Sequence, residues 1–89
     1  MAIEDRALKI LGDIIDAHSA GDNKGVLEHE TRFNKYLEFS FGDTPMGPGM
    51  KRIDSIRETI ILDSTGFPIT QEALENAKRE YEVMRSQRL

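Results

Sequence analysis

Gly47-Pro48-Gly49 runs directly into Met50-Lys51-Arg52, and these residue types in this order can hold an anion. A helix opening here would leave backbone N–H groups unpaired and carry partial positive charge. Glycine would let a ligand approach that backbone, and two cations would add attraction. Thr44 can contribute a hydroxyl. The stretch from Gly42 to Gly49 holds three of the seven glycines and two of the three prolines, so its plainer reading is a connector with Lys51 and Arg52 solvated. It lacks the Gly-x-x-x-x-Gly-Lys-Ser/Thr spacing of a P-loop, and no buried strand precedes it.

Phe33, Tyr36, Phe39 and Phe41 crowd into the turns just before this loop. Stacking a base or another planar ligand takes one or two exposed rings beside a cation, and Tyr36 or Phe39 with Lys51 or Arg52 meets that need. Phe33 and Phe41 are expected in the core. Phe39 falls on the far side of the same helix, which fits a subunit contact, a ligand contact or a loop folded over it. The candidate ligand-binding set is therefore Tyr36, Phe39, Thr44, Gly47, Gly49, Lys51 and Arg52.

Other chemistry finds little purchase. His18 and His29 are the only histidines, and an antiparallel hairpin could bring them together with Glu28 or Glu30, but their spacing matches no zinc signature. Aligning Gly66 with the sixth position of a calcium loop puts Glu72 at the twelfth, yet the first position becomes Ile61, which cannot ligate. There is no cysteine, and no serine sits in a Gly-x-Ser-x-Gly elbow. The carboxylates are scattered. We expect no catalytic residues, no metal and no cofactor.

The elements that must position these residues follow from apolar spacing. From Ile3 to Ala17 the apolar residues recur at steps of three and four, making a stripe roughly 160° wide where ~100° rests on one partner. That helix should touch two neighbours, the second being either another subunit or another helix of a bundle. Ser19 to Gly25 reads as a turn. A second helix runs from Asp22 or Asn23 to Ser40, with Val26, Phe33, Leu37 and Phe41 facing inward and His29 and Tyr36 on a flank. Alternatively it stops early, and Leu37 to Phe41 becomes a strand-like tail.

Beyond the glycine-proline loop, Ile53, Ile56 and Ile60 predict a helix from Met50 to Leu62. Its competitor is a short β-hairpin near 59–69, turning at Asp63-Ser64-Thr65-Gly66. Thr70 is a suitable cap for a last helix with Glu72 and Glu75 at its start and Arg85 and Arg88 at its end. Leu74, Ala77, Tyr81 and Met84 form its stripe. No internal repeat is visible.

With 89 residues the chain should form a single helical domain, 1–89, of the all-α class: two helical hairpins joined by the glycine-proline loop. So short a chain buries only about 60–65% of its unfolded surface, and without cysteine it has no disulfide to supplement the core, which favours a homo-oligomer. Sixteen acids against twelve bases, mixed along the chain, give a net charge of -4 and disfavour duplex nucleic acid as a partner. The longest aliphatic run, Ile60-Ile61-Leu62, is far below the ~20 residues that span a bilayer. The start of the chain lacks the pattern of a secretory signal, so the cytoplasm is the expected location.

Two functions follow as expectations. One is a non-enzymatic interaction module that self-associates and binds a protein partner through an apolar surplus at Leu8, Ile15 and Phe39. The other is a binder of a phosphorylated small molecule, such as a nucleotide, at Gly47 to Arg52.

Overall fold

The computed structural model describes residues 3–60 and 70–87. Four helices run through them, α1 (Ile3–Ser19), α2 (Asn23–Phe41), α3 (Pro48–Glu58) and α4 (Gln71–Gln87), with no strand among the described residues. The expected all-α bundle is what the chain forms.

α1 buries Ala7, Leu8, Ile10, Leu11, Gly12, Ile14, Ile15 and Ala17. A face this broad serves more than one neighbour, and α1 packs against all three other helices. α3 and α4 also touch each other, whereas the backbone of α2 comes close to that of α1 alone. The arrangement is thus a central helix carrying α2 separately from the α3–α4 pair. This corrects the expected use of Leu8 and Ile15. They are only 5% and 4% exposed, covered by the chain's own helices, and present no interface.

Local signals account for the helix ends. Asp22 caps α2, its Oδ1 accepting from the Gly25 N–H at 3.0 Å. At the other end Gly42 takes φ 55°, a backbone region that side-chain-bearing residues rarely adopt, and its N–H donates to the Glu38 carbonyl at 2.9 Å. α2 therefore stays helical through Phe41, which replaces the strand-like tail. α3 opens at Pro48, earlier than expected, because proline at the first helical position lacks only an N–H that would be unpaired anyway. It ends at Glu58, short of Leu62, in a turn where the Thr59 and Ile60 N–H groups return to the Ile56 and Arg57 carbonyls. Apart from Thr59 and Ile60, the hairpin alternative near 59–69 lies outside the described residues. α4 begins as expected, with the Thr70 hydroxyl accepting from the Ala73 N–H at 3.1 Å.

The core is one continuous cluster built around α1, with Val26 and Phe33 from α2, Met50, Ile53 and Ile56 from α3, and Leu74, Ala77 and Met84 from α4. Leu11 and Ile14 are fully buried at its centre. Leu11→Ala should lower the unfolding free energy by about 2–5 kcal/mol, the usual cost of an unfilled cavity. Phe39→Ser, on the exposed side of α2, should change it by less than about 0.5 kcal/mol. Urea denaturation of the two variants beside wild type measures both.

Candidate functional site

The structure separates the predicted site residues into two groups. Gly49 and Arg52 line a common hollow of about 450 Å³ with Pro48, Met84 and Gln87, between the start of α3 and the end of α4. Gly47 is the N-cap of α3 and its carbonyl accepts from the Lys51 N–H at 3.0 Å. Lys51 and Thr44 are exposed, and neither lines that hollow. Tyr36 and Phe39 do not line it either. Tyr36 instead packs on the core with its hydroxyl donating to the Ile3 carbonyl at 2.9 Å, tying the end of α2 to the start of α1.

An anion does sit at the start of α3, but the chain supplies it. A Cβ built on Gly49 would lie 2.7 Å from Glu4 Oε2 and 2.9 Å from Oε1. The carboxylate of α1's first turn thus lies flat against the Gly49 backbone, where partial positive charge gathers. A side chain at position 49 would push the flexible Glu4 carboxylate aside, and the face that glycine leaves open is occupied by Glu4. The sequence could not show this: Glu4 and Gly49 are far apart in the chain and meet only because α3 packs on α1.

Phe39 stands apart from that chemistry. Counting around α2, it points about 140° away from the buried Val26, and it is 91% exposed. Phe33, on the inward side of the same helix, is 0% exposed. Exposed Lys24, Glu28 and Lys35 share the outward face with Phe39.

Sequence reasoning missed the most concentrated polar cluster. Arg57 of α3, 9% exposed, places Nε and Nη2 on Asp54 Oδ1 at 3.0 and 2.7 Å and Nη1 on Glu30 Oε1 of α2. Its guanidinium also lies 5.0 Å from the centroid of the Phe33 ring, in cation–π contact. Burial opposes the charge on Arg57, but the hydrogen bonds to Asp54 and Glu30 outweigh it and hold the group above its ordinary range. Burial pushes the Glu30 carboxyl above its usual range, against the hydrogen bond and charge of Arg57, and Oε2 is buried without a partner. The available signal was Glu30 itself, an acid four residues after Val26 and three before Phe33 on the apolar stripe. All three nitrogens of Arg57 engage carboxylates, so the cluster joins helices and offers no free cation to a ligand.

The histidines do not converge. His18 Nε2 donates to the Ile60 carbonyl, while His29 Nδ1 faces Arg32 Nη1 at 2.7 Å. Among the described residues no group of three or more His, Cys, Asp or Glu is placed to hold a metal ion. Comparison with protein-family models, curated proteins and solved structures finds no match.

Two predictions follow from the buried polar groups. Arg57→Met leaves Glu30 and Asp54 without their cation and should cost about 3 kcal/mol, the lower end for breaking a buried pair. Adding Glu30→Leu should return part of that loss; urea midpoints of the single and double variants read the difference. For His18, burial lowers the pKa from 6.5, only partly opposed by the bond to Ile60. The unfolded chain therefore takes up a proton that the folded chain resists. The stability His18 contributes is present above pH 6.5 and lost as pH falls through that value toward the lower folded pKa. His18→Gln keeps a donor for Ile60 but does not titrate. Between about pH 7.5 and about pH 5.5 wild type should lose more stability than this variant does.

Proposed function

We propose that this chain is a small, non-enzymatic interaction module that associates with a protein partner, in the first instance another copy of itself, through the outward face of α2 anchored by Phe39. The observation that carries the reading is the 91% exposure of Phe39 within a regular helix. Burying such a ring is worth about 1.5–3 kcal/mol, and interfaces favour aromatic anchors set among polar neighbours. Met46 and Phe41 fold onto the core, so the loop does not cover it.

Several features favour binding over catalysis. Arg57 is fully committed to ion pairs, His18 is held by a backbone carbonyl, and the serines lack a nucleophile pattern. A phosphorylated ligand at Gly47 to Arg52 is the weaker reading. The hollow beside Arg52 favours it, but a phosphate seated on the Gly49 backbone must first displace Glu4. A cytoplasmic setting fits the absence of cysteine. No described helix is long and apolar enough to cross a membrane.

Sedimentation equilibrium from about 1 µM to about 1 mM should show reversible self-association of wild type, with Phe39→Ser raising the dissociation constant at least about tenfold. A wild-type monomer across that range overturns self-association, and an unchanged constant in Phe39→Ser overturns the role of the ring.

A further inference from the structure

We infer that the partner on the outward face of α2 is a second copy of this chain running antiparallel, with Glu28 of each copy opposite the partner's Lys35 and Phe39 over the partner's Lys24. This rests on the reading of Phe39 as an association surface and specifies its geometry.

The inference comes from the order of charges on that face. Lys24, Lys35, Glu28 and Phe39 fall within about 60° of one another around α2, and all four are exposed. A two-fold pair makes each contact twice, so facing like charges are penalised twice and opposite charges rewarded twice. A parallel pair sets Glu28 on the partner's Glu28 and Lys35 on the partner's Lys35, which repels at both positions. An antiparallel pair can place Glu28 against the partner's Lys35 and its symmetry mate at the same time. In that register the residue facing Phe39 is the partner's Lys24, whose stem covers the ring while its ammonium meets the ring face.

Neighbouring registers do worse. Sliding about one turn in one direction sets Glu28 against the partner's Phe39, so the carboxylate of each copy loses the partner's Lys35. Sliding the other way pairs Glu28 with the partner's Arg32, but it carries Phe39 past Asn23, where the partner's α2 begins, and leaves the ring uncovered. In the favoured register Arg32 lies beside the two-fold axis. Its guanidinium is turned to Asp13 at 3.4 Å and His29 at 2.7 Å of its own chain, away from its symmetry mate.

The test is charge exchange at two exposed positions, with circular dichroism confirming that each variant stays helical. Sedimentation equilibrium at low salt compares wild type with Glu28→Lys, Lys35→Glu, the double variant Glu28→Lys/Lys35→Glu, and Phe39→Ser. Each single reversal should weaken self-association at least about fivefold, since two ion pairs become two like-charge contacts. The double variant should return to within about twofold of wild type. Mixing the two single variants should give a heterodimer tighter than either homodimer, because the mixed pair restores opposite charges at every contact. Association that depends on Phe39 but ignores the charge reversals, or singles that the double variant fails to rescue, overturns the antiparallel register and leaves the Phe39 interface standing. A monomeric wild type overturns both.

Discussion

Three helices rest on α1, and the apolar width that one helix can offer is the constraint from which the rest follows. A helix with a single neighbour needs an apolar stripe of about 100°. α1 has to serve α2, α3 and α4 at once, and it does so by burying residues well round its circumference, from Ala17 and Ile10 to Gly12. Leu8 and Ile15 lie between the middle of that stripe and its Gly12 edge and are almost as fully buried as Leu11 at the middle. The fold needs no second subunit to cover α1. Among the described residues the large apolar side chain left most exposed is Phe39 of α2.

The same arrangement makes the Arg57 cluster necessary. Since the backbone of α2 comes close only to that of α1, its flank toward α3 has no backbone neighbour to fix it. A long guanidinium bridges that distance, bonded to Asp54 on its own helix and to Glu30 on α2, and lying over the Phe33 ring. An ion pair removed from water contributes little net stability against an apolar alternative of the same shape, but it specifies geometry, because neither partner tolerates being left alone. Phe33 joins the two systems: one side belongs to the core and the other carries the cation.

Much of this was legible in the residues because it is local. The stripe of α1, the Asp22 and Thr70 caps and the outward direction of Phe39 all follow from spacing within one turn or one helix. What escaped was pairing across the chain. The width of α1's stripe was visible, but whether helices or a second subunit would cover it depends on how α3 and α4 return to α1. Glu30 and Arg57 lie on different helices, and only their pairing explains why each sits beside apolar residues. The end of α3 was misplaced because Ile60 continues the apolar spacing, while the backbone has already turned at Thr59. The loop before α3 has the residue types to hold an anion, but its approach to Glu4 of α1 depends on packing between helices distant in the chain.

That last point bears on how a chain of this size uses its charges. A helix start carrying Lys51 and Arg52 is a standing attraction for any anion, and setting Glu4 against Gly49 satisfies part of it internally while tying α3 to α1. The outward face of α2 presents the opposite case. Lys24, Glu28 and Lys35 lie exposed along the same face of α2 as Phe39. Charges of mixed sign along a face with a single ring would favour a partner surface of matching order and would add little strength, because exposed ion pairs each contribute at most about 1 kcal/mol. Association through such a face would be selective and reversible and would respond to ionic strength, since salt would screen the pairs that set the register while leaving burial of the ring untouched.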